Sequence, residues 1–106
     1  MTKHDDSFYL EGIHEHIDAI KNYLPKSKEA FLADEMLQDA VLLRLLAIGE
    51  EVTHISDTFL DKYPELPWHK IIGLRNRIVH GYFEVDQDII WQALNDGSLE
   101  ELRKVL

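Results

Sequence analysis

Apolar residues recur at helical spacing along most of the chain. Tyr9, Ile13, Ile17, Ile20 and Leu24 are separated by four, four, three and four positions, which predicts a first helix from Asp6 to Tyr23 ended by Pro25. Lys26 to Ala33 reads as a short connection with one or two helical turns around Phe31 and Leu32, and Asp34 is placed to cap the next helix. From Glu35 to Asp61, Leu37, Val41, Leu45, Ile48, Val52, Ile55 and Phe59 recur every three or four residues and predict the longest helix. Ala40, Leu43 and Ala47 add a second apolar face. This helix is therefore expected either to lie centrally in a bundle or to give one face to a partner chain.

Tyr63 to Pro67 breaks the pattern, and Pro67 suits the first position of a helix that runs to Val79 through Trp68, Ile71, Ile72, Leu74 and Ile78. Gly81 suits a left-handed residue just past its end. Asp86 caps a further helix through Ile89, Ile90, Trp91 and Leu94, stopped by Asn95-Asp96-Gly97, and Ser98 with Glu101 reads as a capping box for a last helix, Leu99 to Leu106. Trp68 and Trp91 are expected to pack, and Arg44, inside an apolar stretch, to pair with an acid across a helix interface. No stretch alternates apolar and polar residues between turn signals, so no strand is predicted. The expected fold is all-α: an up-and-down four-helix bundle with short extra helices, as one domain over residues 1–106.

Composition then narrows the function classes. The absence of Cys excludes a disulfide framework, a thiolate metal site and a cysteine nucleophile, and favours a reducing, cytoplasmic setting. The apolar run Ala40–Ile48 is interrupted by Arg44 and is far shorter than the roughly 20 residues a bilayer span needs, so no membrane partner is expected. The N-terminal MTKHDDSF is acidic and polar where an export signal is basic and then apolar, so export by that route is not expected. His4, His14, His16, His54 and His69 include no pair at three- or four-residue spacing, and neither a metal site nor a cofactor is predicted.

Net charge changes the picture more. The chain carries −9, which by itself argues against a nucleic-acid partner. Yet Leu66 to Phe83 contains no Asp or Glu and holds Lys70, Arg75 and Arg77, with His69 and His80 besides. That window carries +3 and the rest therefore −12, so a cationic strip on an acidic body marks a localised anion site.

The strip contains Gly73-Leu74-Arg75-Asn76-Arg77-Ile78-Val79-His80-Gly81-Tyr82. Arg75, four residues, His80, one residue, Tyr82 resembles the motif of the HEPN superfamily. Ala47-Ile48-Gly49-Glu50-Glu51, Tyr63-Pro64-Glu65-Leu66-Pro67-Trp68, Val85-Asp86 and Ile90-Trp91 resemble its HepT-like branch, in the same order, over most of the chain from Asp34 onward. The resemblance implies a small α-helical, metal-independent endoribonuclease that acts as a homodimer, the toxin half of a type VII toxin–antitoxin pair. Its implied partner is a minimal nucleotidyltransferase antitoxin of the MntA type, which attaches AMP to the motif tyrosine, here Tyr82. The same transfer makes Arg75 and His80 the catalytic pair and Asn76 the polar residue beside the arginine.

These residue types suit RNA cleavage. The 2′-hydroxyl must lose a proton, the phosphorus passes through a dianionic five-coordinate state, and the 5′-oxygen leaves with a proton. An imidazole titrating near neutrality serves as base or acid, and a guanidinium holds phosphate oxygens through two donors as charge builds. DNA, lacking the 2′-hydroxyl, is not an expected substrate. Arg77 and Glu50 are supporting candidates. Glu50, like Glu51, is a carboxylate able to orient Arg75 or His80.

At roughly 100° per residue, Arg75 and His80 lie about 140° apart on a regular helix, whereas Asn76 and His80 share a face. Either the helix unwinds near Gly81 and re-aims His80, or the cleft forms between two chains whose motif helices face each other; the second also joins two cationic strips. The competing class is a non-catalytic helical module that binds nucleotide or docks a nucleotidyltransferase. In a purely structural reading, Arg75, Arg77 and His80 complement a helix C-terminus.

Overall fold

A computed structural model describes residues 4–105; Met1 to Lys3 of the polar N-terminal segment and Leu106 of the predicted last helix lie outside the described residues. The architecture is all-α, with seven helices among those residues: α1 (Asp6–Tyr23), α2 (Lys28–Leu32), α3 (Glu35–His54), α4 (Asp57–Lys62), α5 (Trp68–Gly81), α6 (Gln87–Asn95) and α7 (Ser98–Val105). A 3₁₀ turn, Tyr82–Glu84, joins α5 to α6. No helix among the described residues is long and apolar enough to cross a membrane.

Helix starts obey local chemistry. Asp5 accepts the Phe8 amide proton (3.2 Å) at the head of α1, and Asp34 accepts that of Leu37 (3.0 Å) at the head of α3. The Gln38 side chain donates to the carbonyls of Phe31 and Leu32 (3.0 and 3.1 Å), satisfying the end of α2.

The long helix lies centrally among the others, and its stripe through Met36 and Leu43 stays exposed. α1 and α5 both pack against α3, α2 bridges α3 and α6, and α7 lies against α1. The core joins Ile13, Ile17 and Ile20 of α1 to Val41, Leu45, Ile48 and Val52 of α3 and to Ile71 and Ile78 of α5. Each such side chain contributes about 1.5–3 kcal/mol on leaving water. Trp68 is buried, and Trp91 packs on Phe31 with ring centroids 5.3 Å apart.

Four local expectations are corrected. The helix predicted over Glu35–Asp61 breaks at Ile55, whose backbone is extended, and restarts behind Ser56. Ser56 donates its amide and hydroxyl protons to the Asp6 carboxylate (2.9 and 2.6 Å) while its hydroxyl caps α4, so a contact with the start of the chain ends the helix although the apolar spacing continues. Gly81 is not left-handed: its φ is −151°, α5 runs on through it and the chain continues into the 3₁₀ turn; the positive φ belongs to Gly97, at 92°.

The Ser98–Glu101 capping box does not form. Asp96 accepts the Ser98 amide proton (2.9 Å), and the Ser98 hydroxyl accepts from Lys70 (3.3 Å). Arg44 finds no acid; its guanidinium bonds His16 Nδ1 (2.9 Å) and donates to the Tyr23 hydroxyl (3.1 Å) across the α1–α3 seam. Burial, and then the Arg44 charge, hold the His16 imidazole below its ordinary pKa of 6.5.

Candidate functional site

α5 carries the cationic strip, and its register on α3 decides where each side chain goes. Trp68 fixes its start by packing into the core and donating from the indole nitrogen to the Tyr63 carbonyl (3.0 Å). Ile71 and Ile78 then turn one face onto α3, and Arg75 lies between them in sequence.

At Arg75 the two helices touch through a glycine. A Cβ placed on Gly49 would stand 2.3 Å from Cβ of Arg75 and 2.7 Å from its Cγ, so the arginine stem occupies space that any other residue at Gly49 would fill. The guanidinium is then held at both edges: Nε donates to Glu50 Oε1 (2.6 Å) and Nη1 to Asn76 Oδ1 (2.7 Å). Three of the sequence candidates, Arg75, Asn76 and Glu50, thus form one constellation at the α3–α5 seam. The neighbouring carboxylate, Glu51, points the other way, towards Gly12 on α1.

Tyr82 stands at the end of the same seam. Its hydroxyl donates to Asp39 Oδ1 of α3 (2.7 Å), and this bond, with burial second, raises the phenol above its ordinary pKa of 10.0. It also ties the 3₁₀ turn after the motif to the central helix. Asp39 carries no sequence signal, being one acid among 20.

His80 and Arg77 lie elsewhere. Both are exposed and neither has a side-chain partner among the described residues. They line a groove with Leu74, Val85 and Ile89 on the α6 side of α5. Because α5 leaves helical geometry only at its last residue, Gly81, which follows His80, it does not re-aim His80, and within one chain Arg75 and His80 stay on different faces. The groove-lining Lys70 is tied to Asp96 by an ion pair and is therefore less available than its charge implies. Among the described residues, no three His, Asp or Glu side chains cluster so as to hold a metal ion.

The seam also bears exposed apolar residues. Met36 and Leu43, seven apart on one stripe of α3 that continues to Glu50, are 84% and 64% exposed, and Phe83 beside Tyr82 is 96% exposed.

Comparison with known proteins places this arrangement. Residues 13–106 match the sequence profile of the family described as Ribonuclease HepT-like. A Thermococcus cleftensis protein named "Probable ribonuclease HepT" is 35% identical over 103 residues, covering 91% of this chain and 94% of the relative. A Methanocaldococcus jannaschii protein with an RNase name is 30% identical over 106 residues, 99% of this chain and 88% of the relative. Another with an RNase name, from Caldanaerobacter subterraneus, is 34% identical over 87 residues, 81% and 78% of the two chains. No solved structure matches the chain. The profile and these relatives span most of the sequence, motif helix included, and the chain belongs to the HepT-like ribonuclease family of HEPN proteins.

Proposed function

We propose that this protein is a metal-independent endoribonuclease, one domain over residues 1–106, whose active cleft forms between two copies. The observation that carries the reading is the guanidinium of Arg75, fixed by Glu50 and Asn76 on one face of a helix whose other face presents an unpartnered His80. A held cation and a free imidazole are the two groups that a 2′-hydroxyl attack on phosphorus needs.

In this reading His80 takes the proton from the 2′-hydroxyl or delivers one to the departing 5′-oxygen. Arg75 neutralises charge on the five-coordinate phosphorus. Asn76 and Glu50 position Arg75, and Arg77 adds charge on the approach. The products are a 2′,3′-cyclic phosphate and a 5′-hydroxyl end. The faces on which Arg75 and His80 lie are brought together when Arg75 of one copy meets His80 of the other. The exposed stripe of Met36 and Leu43, with Phe83 and the half-exposed Val79, supplies apolar surface beside the seam for that contact.

As the toxin half of a toxin–antitoxin pair, the protein is neutralised by a minimal nucleotidyltransferase that attaches AMP to Tyr82. Tyr82 is 39% exposed as a residue, and the modification must first displace the bond of its hydroxyl to Asp39. AMP at that position would set a phosphodiester anion against the Asp39 carboxylate and draw the turn away from α3.

The test is cleavage of end-labelled total RNA in EDTA by the purified chain and by His80→Ala, with product ends identified. The reading expects 2′,3′-cyclic phosphate ends from the parent and none from the folded variant. An inert parent, or equal activity of the two, overturns it in favour of a nucleotide-binding or nucleotidyltransferase-docking module.

A further inference from the structure

The outer face of α5 holds a feature that the folded chain itself does not explain. Gly73 lies in the middle of a 14-residue helix, where glycine is weaker than alanine. A Cβ built on Gly73 meets nothing within 4 Å, so nothing among the described residues requires the missing side chain. This is the reverse of Gly49, where the Arg75 stem fills the space.

Gly73 lines a groove between α5 and α6. The groove measures about 430 Å³ around Lys70, Gly73, Leu74, Arg77 and Ile89, and a second reach of about 360 Å³ shares Leu74, Arg77 and Ile89 and extends to His80. Both volumes fall in the range of roughly 300–1,000 Å³ that small ligands occupy. The floor is apolar at Leu74 and at Ile89, which is 42% exposed. Arg77 stands over both reaches with no partner among the described residues. None of the acids that share the lining is bonded to it among the described residues: Asp96 is paired with Lys70, and Glu84 and Asp86 line the reach that also holds Arg77 and His80. Successive positions Gly73, Arg77 and His80 lie at four- and three-residue steps along one side of the helix.

We propose that this groove is the subsite for the single-stranded RNA segment adjoining the reacting phosphate, with Gly73 as the point where the sugar-phosphate chain touches the helix. One base lies on Leu74 and Ile89, its phosphate meets Arg77, and the strand leads towards His80. The assignment rests on the ribonuclease reading for the identity of the strand, and on the groove's own chemistry for its place.

The test compares the parent with Gly73→Ala, Gly73→Leu and Arg77→Ala. Four quantities are read: melting temperature, affinity for a 2′-O-methyl single-stranded oligoribonucleotide, cleavage rate and molecular mass in solution. Gly73→Ala is expected to raise the melting temperature by about 2–6 °C while weakening oligonucleotide binding several-fold. Gly73→Leu and Arg77→Ala are expected to weaken binding about tenfold or more and to slow cleavage in proportion. A folded Gly73→Leu that binds and cleaves like the parent overturns the subsite while leaving the nuclease standing. A parent that binds but never cleaves, with binding lost in Gly73→Leu and Arg77→Ala, overturns the nuclease while upholding the groove. A change of mass in Gly73→Leu without a change in affinity makes the occupant a second copy of the chain and also overturns the proposal.

Discussion

The two long faces of α5 differ in a way that two glycines make measurable. On the face towards α3, Gly49 is a recess filled by the Arg75 stem, and the guanidinium is bonded on both sides. On the outer face, Gly73 is open and the nearby Arg77 and His80 side chains are unpartnered among the described residues. One face is organised by the chain's own packing, and the other is left open. A functional group that must hold a geometry belongs on the first, and one that must meet a ligand belongs on the second.

The largest expected effect breaks the comparison at Arg75. Arg75→Ala should lower RNA cleavage about 10²–10³-fold, the range for losing a charge-stabilising donor, while the melting curve moves little because the side chain is only half-buried. Gly49→Ala comes next. Its methyl has no room against the arginine stem, so α3 and α5 must part, at a cost of about 1–3 kcal/mol seen as a lower denaturant midpoint. The same methyl at Gly73 should stabilise, and equal signs at the two positions would contradict the difference between the faces. Glu50→Ala frees one edge of the guanidinium. Cleavage should fall about tenfold through lost positioning, with stability changed by less than about 1 kcal/mol, since the pair is partly solvated.

The smallest effect lies away from α5, at the other seam of α3. Burial and Arg44 lower the His16 pKa, so on acidification the unfolded chain takes up this proton before the folded one. The corresponding stability is full above pH 6.5 and is lost as pH falls through the lowered folded value. Melting temperature should therefore begin to decline below pH 6.5, ahead of the loss from carboxylates such as Asp18, whose pKa is held below its ordinary 3.8 by Arg103. His16→Gln should remove the first part of the decline and keep the second.

Much of this was legible in the sequence, for identifiable reasons. Apolar spacing marks the main helices because helical burial is periodic, and the window free of acids coincides with α5. Arg75, Asn76 and Glu50 could be nominated from residue type and motif. The break at Ser56 could not, since the apolar period runs through it and the cause, Asp6, is 50 residues away. The same holds for Asp39, which gains meaning only from the Tyr82 hydroxyl, and for Arg44, whose partners are an imidazole and a phenol rather than an acid. Gly49 was visible as part of a family-like segment, but the space it leaves for Arg75 is a property of two helices in register. Gly81 misled because a glycine after a helix often adopts a left-handed turn, and here the chain passes into a 3₁₀ turn that keeps Tyr82 against α3.

The central claim is that Arg75 and His80, on different faces of one helix, meet across two chains. It is tested most directly by refolding Arg75→Ala and His80→Ala chains together in equal amounts and measuring RNA cleavage. With random pairing into two-fold dimers, half of the dimers join one chain of each kind, and each of these regains one complete site of two. The account predicts recovery to about a quarter of the parent rate. A mixture no more active than the two variants assayed separately would contradict it.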